Sequence, residues 1–217
     1  EFRQSVFSEG EEQIEPWMTD FYHDAVLDFD NYVGEILDAL KKAGELDNTI
    51  IIIYSDHGQR YVIQRTPLLF HFPKDQHAGR IQANAQNLDI APTILDYLGL
   101  EIPEWMNGQS LLRDNLDPHR LIISVGDRDD VSLSVGFNYS IIDPTRIGPP
   151  FYQFGNIFVN ECQRWYELDL VKLTWSSGDR SLHTSHCTDG SFYNFEQIQQ
   201  AVAELLSGNG FDISTLP

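Results

Sequence analysis

The feature that most constrains this chain is Thr49–Tyr54, TIIIIY, a nearly continuous β-branched run. Isoleucine at successive positions puts apolar side chains on both faces of a strand. That pattern predicts a strand buried on both sides, as in a parallel sheet covered by helices. The preceding segment reads as its helix. Val26, Phe29, Val33, Ile36, Leu37 and Leu40 recur at spacings of three and four, Lys41 and Lys42 suit the negative end of the helix dipole, and Gly44 supplies the stop. Residues 19–43 are therefore predicted as one long amphipathic helix, and the turn Asp47-Asn48 joins it to the strand. Helix, tight turn and doubly buried strand make half of a βαβ unit.

A second, shorter strand is predicted at Thr66–Phe72 and a helix over residues 87–98, with Asp89 in its first turn and Gly99 as its stop. Beyond about residue 115 the texture changes. Short apolar or alternating runs, Leu121–Val125, Val131–Val135, Tyr139–Ile142, Asn156–Val159 and Trp165–Leu170, are separated by Gly, Pro, Asn and Asp. They predict a small antiparallel sheet with hairpins, closed by a helix over Ile198–Leu206. The expected division is 1–115 and 116–217. Trp105, Trp165 and Trp175 read as packing residues.

Charge narrows the partners. The 217 residues carry 33 acids against 14 bases, a net charge of −19, which argues against a nucleic-acid backbone or an anionic lipid surface. The imbalance is uneven: residues 1–50 hold 13 acids and 3 bases, residues 51–100 four of each. The locally neutral stretch contains the residues best suited to chemistry. No apolar run approaches the roughly 20 residues of a membrane-spanning helix.

The Ile-rich strand ends in Ser55-Asp56-His57-Gly58. In open α/β sheets, ligands sit beyond the carboxyl ends of strands. A carboxylate beside an imidazole is a divalent-metal pair, and Gly58 permits the turn that would let neighbours reach one ion. Arg60, Arg65, Lys74 and Arg80 are the bases available to clamp an anion. His77, in the loop PKDQHAGR, is a further candidate for the substrate mouth. His23, with Asp20, reads as a helix-surface histidine and His71 as a satisfied strand histidine.

Several motifs occur in order. They are Tyr22-x-x-Ala25-x-x-x-Phe29-Asp30-x-x-Val33-Gly34-x-Ile36-Leu37-x-x-Leu40, Gly44-x-x-Asp47-Asn48-Thr49, and the Ile run with Ser55-Asp56-His57-Gly58. Arg65-Thr66-Pro67-Leu68-Leu69, Asn87–Gly99, Pro103 and Gly108-x-Ser110-Leu111 follow. Over roughly residues 17–115 this set resembles the sulfatase family of the alkaline phosphatase-like superfamily, in the later part of its catalytic domain.

The resemblance implies an α/β fold: a partial alkaline phosphatase-like sandwich with a mostly parallel sheet between helices, then a small antiparallel sheet and a C-terminal helix. It implies hydrolysis or transfer of a sulfate or phosphate ester carried by a small molecule, a glycan or a lipid headgroup. Asp56 and His57 align with the metal pair after the central strand, for one divalent ion. Calcium or magnesium is expected in a sulfatase, manganese or zinc in a phosphotransferase. Arg65 matches the basic residue before the Pro that opens the next strand, and Arg60 stands where a lysine is common. The family's nucleophile setting, Cys/Ser-x-Pro-x-Arg, is absent from these 217 residues. The chain is therefore expected to be a fragment that acts with the missing N-terminal part of the same enzyme, or a non-catalytic remnant with a binding role. A phosphoglycerol- or phosphoethanolamine-type phosphotransferase or phosphodiesterase is the alternative that His57 favours. Export to a periplasmic, extracellular or lumenal compartment is expected from the family.

Cys162 and Cys187 form a bridge or remain two thiols; with His183 and His186 their spacing fits no common zinc module. Asn138-Tyr139-Ser140 is a formal glycosylation sequon.

Overall fold

The amphipathic segment is one helix, α1 (Trp17–Ala43), 27 residues long. In this computed structural model residues 17–56, 66–117, 119–128, 132–134, 140–161, 164–179 and 193–217 are described. Gly44 ends α1 with φ +72°, a conformation glycine adopts without a Cβ penalty. The Glu45 N–H donates to the Leu40 carbonyl at 2.9 Å, closing the helix end. A single 3₁₀ turn, Leu46–Asn48, follows, and the Thr49 hydroxyl ties it back by donating to the Glu45 carbonyl at 2.7 Å. The chain then extends into β1 (Ile51–Tyr54).

β1 pairs antiparallel with β2 (Leu68–His71), Ile51 opposite His71 and Tyr54 opposite Leu68. Here the structure departs from expectation. Ile51, Ile52 and Ile53 are half-buried, and Tyr54 and Leu69, which point to opposite faces of the ladder, are both exposed. All strand pairs among the described residues are antiparallel, so the expected mostly parallel sheet is not found among them. A strand of this composition is buried on both faces only when layers cover both, and the described residues of this part of the chain form one two-stranded ladder.

The chain divides into two compact units, residues 1–80 and 81–217. The second opens with a 3₁₀ turn (Asn87–Asp89) running into α2 (Ile90–Tyr97). Asp89, expected as an ordinary first-turn acid, is fully buried. Its carboxylate accepts from the Gln86 N–H at 2.9 Å and the Gln109 N–H at 2.9 Å. It also accepts two bonds from the Arg120 guanidinium, at 2.8 and 3.0 Å. The backbone carbonyl of Asp89 takes the Thr93 hydroxyl at 2.6 Å, and Thr93 Oγ1 accepts the Leu111 N–H at 3.0 Å. Gly108 is required beside this cluster, since a Cβ there would overlap the Leu88 carbonyl. One bidentate ion pair, its carboxylate fully buried and its guanidinium half-buried, thus joins the start of α2, the 108–111 segment and the entry to the C-terminal sheet.

That sheet has the order β3 (Ile122–Asp127), β6 (Phe154–Asn160), β7 (Arg164–Asp169), β8 (Thr174–Asp179), antiparallel throughout. β4 (Ser132–Ser134) and β5 (Ser140–Ile142) form a separate hairpin. α3 (Phe195–Gly208) starts at a reciprocal cap: the Gln197 N–H donates to Asn194 Oδ1 and the Asn194 N–H to Gln197 Oε1, both at 2.9 Å. Its Ile198, Val202 and Leu206 meet Ile157, Val159, Tyr166 and Leu168 of the sheet in the core. The β7–β8 turn is closed by Asp169, which accepts from the Val171 and Lys172 N–H groups and the Lys172 ammonium. The Lys172 side-chain and backbone hydrogen bonds hold the Asp169 carboxyl below the usual carboxylate range.

The antiparallel sheet and closing helix of the second half are as expected, with two differences. β8 is not among the expected strands, and Trp105, read as a packing residue, is the most exposed of the large apolar side chains among the described residues, at 76%. It lies in the turn that the Met106 N–H closes on the Pro103 carbonyl. Trp165 and Trp175 do pack, on Phe158 and Phe195 respectively. Cys162, Cys187, His183, His186 and Asn138 lie outside the described residues.

Replacing Arg120 by Met would leave a buried carboxylate without its cation. A loss of about 3–5 kcal/mol is expected for such a break, read by denaturant unfolding followed through tryptophan fluorescence. Adding Asp89→Asn should restore part of the loss. A single Arg120→Met costing less than about 1 kcal/mol, the scale of a surface pair, would mean the pair does not hold these segments together.

Candidate metal and anion site

The strand ladder decides which candidate residues can share a site. β1 runs toward Tyr54, so Ser55 and then Asp56 leave it at its carboxyl end. Ser55 is half-buried and Asp56 is exposed. The antiparallel register places Leu68 opposite Tyr54. Segment 55–67 therefore begins and ends at the same end of the ladder, and it contains Asp56, His57, Arg60 and Arg65. His57, Arg60 and Arg65 themselves lie outside the described residues. Asp56 stands two residues past the carboxyl end of β1.

The other basic and imidazole candidates leave from the opposite end. β2 ends at His71, opposite Ile51. The 3₁₀ turn that follows, Pro73–Asp75, packs against Leu46–Asn48 at the start of β1. His71 behaves as a satisfied strand histidine. Its Nε2 is 3.4 Å from the Leu46 carbonyl oxygen and its Nδ1 3.7 Å from Asp75 Oδ1. The His77 ring stands edge-on to the buried Phe72 at 5.4 Å. Phe72 in turn stacks on Phe70 at 5.7 Å. The structure thus seats His77 and Lys74 beyond the end of β2 and does not bring them to the Asp56 end. His23 is exposed on α1 beside the Tyr22 ring.

Asp56 offers a hard oxygen donor suited to a divalent cation. Among the described residues no group of three or more His, Cys, Asp or Glu side chains converges as a metal site would require. Asp56 therefore fits as one member of a donor set, and the described residues do not complete that set. Some residues of the later motifs have another task. Asp89, Thr93, Gly108 and the segment of Ser110 and Leu111 build the buried clamp around Arg120. Sequence reasoning missed Arg120. The available signal was a carboxylate among apolar helix residues, which needs a cation once buried, but nothing in the spacing identifies a partner 31 residues away.

The sulfatase family model matches residues 4–100. Similar proteins include the N-acetylglucosamine-6-O-sulfatase of Bacteroides thetaiotaomicron, 40% identical over 104 residues, covering 42% of this chain and 19% of that protein. The extracellular sulfatase SULF-1 homolog of Drosophila melanogaster is 35% identical over 121 residues, 45% of this chain and 11% of that protein. The multifunctional alkaline phosphatase superfamily protein PehA of Trinickia caryophylli is 32% identical over 106 residues, 42% of this chain and 21% of that one. The matched part of the chain belongs to the sulfatase family of the alkaline phosphatase-like superfamily. These matches span about a fifth or less of the relatives' length.

The loop after β2 carries backbone strain of its own. Lys74, Asp75 and His77 have φ of +59°, +54° and +58°, left-handed values that glycine adopts more readily. Lys74 is exposed. Lys74→Gly is expected to raise stability by about 0.5–1 kcal/mol through relief of that conformation, measured by thermal or denaturant unfolding. A clear loss of stability would instead show that the Lys74 side chain holds the loop.

Proposed function

We propose that the chain is the metal-binding and anion-holding part of a sulfatase-like hydrolase that cleaves sulfuric esters, with the nucleophile outside these 217 residues. The observation that carries this reading is the placement of Asp56 at the carboxyl end of β1, inside the stretch that matches the family. Asp56 and His57 are the donors this chain would give to one divalent ion, calcium or magnesium. A bound divalent ion neutralises nonbridging ester oxygens and favours the ionised form of an oxygen nucleophile. The chain's own residues have three tasks. Asp56 holds a hard oxygen at the strand end. His57 adds a nitrogen donor whose tautomer an acceptor on its second nitrogen would set. Arg60 and Arg65, which lie between β1 and β2 in sequence, would offer fork-shaped donors for sulfate oxygens. His77, seated on Phe72 at the other end, has no part in this assignment.

The substrate is an anionic ester, with a sulfated glycan supported by the name of the Bacteroides relative. Residues 1–115 serve the catalytic site in this reading and residues 116–217 form the C-terminal antiparallel part. An exported location is supported by the relative named as extracellular. No helix among the described residues is long and apolar enough to cross a membrane.

A phosphoryl-transfer reading is favoured by two observations. The imidazole of His57 follows the carboxylate, and one relative is named as a multifunctional member of the wider superfamily. Reaction type is read by assaying the complete gene product against an aryl sulfate and an aryl phosphate, with metal content measured in parallel. Sulfate cleavage is expected, lost on chelation and restored by calcium or magnesium. Asp56→Ala should lower kcat/KM by at least about 100-fold, a loss of roughly 2.7 kcal/mol of transition-state stabilisation. It should also reduce bound metal. Preferential phosphate cleavage with manganese or zinc would select the phosphoryl-transfer reading. Metal binding without turnover of either ester would leave a binding role. Full activity and full metal content in Asp56→Ala would end the metal assignment.

A further inference from the structure

The chain contains two Asn-Gly bonds, Asn107-Gly108 and Asn209-Gly210, and the fold treats them differently. An asparagine before a glycine is open to attack by its own main chain. The glycine nitrogen can approach the asparagine Cγ because no Cβ on the glycine stands in the way. Both asparagines are exposed, so exposure does not separate them. Backbone geometry does.

Asn209 is held in an unreactive arrangement. It caps α3, and its Nδ2 donates to the Leu205 carbonyl at 2.8 Å. The Gly210 N–H donates to the Ser207 carbonyl at 3.0 Å, so the nitrogen that would attack is already engaged. Closing a five-membered imide needs Cβ, Cα, C and the next nitrogen nearly coplanar. At ψ 12° the Gly210 nitrogen instead nearly eclipses the Asn209 nitrogen and stands away from Cβ.

Asn107 belongs to no helix or strand and follows the turn that the Met106 N–H closes on the Pro103 carbonyl. Its other side is anchored. Gly108 lies so close to the Leu88 carbonyl that a Cβ would overlap it, and the Gln109 N–H donates to the buried Asp89 carboxylate at 2.9 Å. A change in the main chain at Asn107 therefore bears directly on the Asp89–Arg120 clamp.

We propose that Asn107 is a site of spontaneous deamidation whose isoaspartyl product weakens that clamp. The Gly108 nitrogen gives up its proton to base and bonds to Asn107 Cγ. Asn107 Nδ2 takes up a proton and leaves as ammonia. Water then opens the cyclic imide. Addition at Cγ yields aspartate, and addition at the main-chain carbonyl yields isoaspartate. Either product adds a carboxylate. In isoaspartate the main chain also runs through Cγ, one carbon longer, immediately before Gly108. The longer path shifts Gly108 from its seat on Leu88 and draws the Gln109 N–H away from Asp89.

The test ages the complete 217-residue chain in buffer, maps both bonds by peptide mass, and counts isoaspartate by methyl transfer from S-adenosylmethionine with an isoaspartyl methyltransferase. In the folded chain Asn107 should convert at least about tenfold faster than Asn209, and urea should bring the two rates together, since the fold is what restrains Asn209. Each unit rise in pH near neutrality should quicken conversion at Asn107 roughly tenfold, because the attacking nitrogen must first lose its proton. Asn107→Gln, which would need a six-membered ring, should abolish methyl acceptance by the folded chain. The isoaspartyl form, separated by chromatography, should unfold at a lower temperature than Asn107→Asp, which has the same charge without the longer chain. Equal rates at the two bonds in the folded chain, or faster conversion at Asn209, would overturn the site. Methyl acceptance undiminished in Asn107→Gln would do the same. Should that variant not fold, the mass map of the unaltered chain decides alone. An isoaspartyl form that unfolds together with Asn107→Asp would overturn the link to the clamp.

Discussion

Four consecutive isoleucines, Ile50–Ile53, place hydrocarbon on both sides of β1, and hydrocarbon on both sides of a strand must be removed from water on both sides. The described elements up to residue 80 have the composition that this demand calls for, and they meet it in part, with Ile51, Ile52 and Ile53 half-buried. α1 offers an apolar stripe of matching character, the 3₁₀ turn Leu46–Asn48 reverses the chain in few residues, and β2 takes up one edge of β1. The same strand leads directly into Asp56. A carboxylate two residues past a strand end is positioned by the ladder, whereas the same residue in a long loop would owe its position to whatever it met.

The second unit depends on an interaction of the opposite kind. A fully buried Asp89 would be costly without a cation, and Arg120 meets it with two parallel hydrogen bonds. Backbone donors from Gln86 and Gln109 occupy the remaining acceptor directions. The carboxylate therefore has the environment that keeps a buried charge tolerable, and it sits at the junction of three segments remote in sequence. This explains why several residues of the family-like motif, Asp89, Thr93 and Gly108, lie together without forming a catalytic site. Their chemistry is directed inward, at one another and at the backbone.

How much of this could be read from the chain depends on how local the cause is. α1, α2 and α3 were legible because periodicity, caps and a stop glycine are all written within one helix. β3, β6 and β7 were legible because alternating apolar residues between turn formers have few other uses. β8, TWSSGD, was not, because Ser-Ser-Gly carries little strand signal. It is a strand because β7 needs a partner, with Gly178 left bare so that the Trp165 indole can lie over it; a Cβ there would stand 2.8 Å from the ring. Arg120 was illegible for the same reason, since its role is set by a partner far along the chain. The site was legible to the extent that it is a strand end. Asp56 follows from the strand, while the separation of His77 from it follows from an antiparallel register that no local pattern encodes.

That register also sharpens the electrostatics of the proposed site. Residues 51–100 balance four acids with four bases in a chain of net charge −19. Lys74 leaves β2 at the far end of the ladder, so it does not contribute at close range where Asp56 stands. Arg60 and Arg65, the bases that lie between Asp56 and β2 in sequence, are then the candidates left to the proposed site. If both served the site as proposed, two guanidinium groups against one carboxylate would give a local excess of only about one positive charge. For an ester that carries its own negative charge, that excess is small at separations near a Debye length of about 8 Å. A divalent ion held by Asp56 and the neutral imidazole of His57 would add two charges at the point of contact. The sign of the site, on this reading, is set by the cation more than by the arginines. The arginines then serve orientation, through paired hydrogen bonds to oxygens whose charge the cation already offsets.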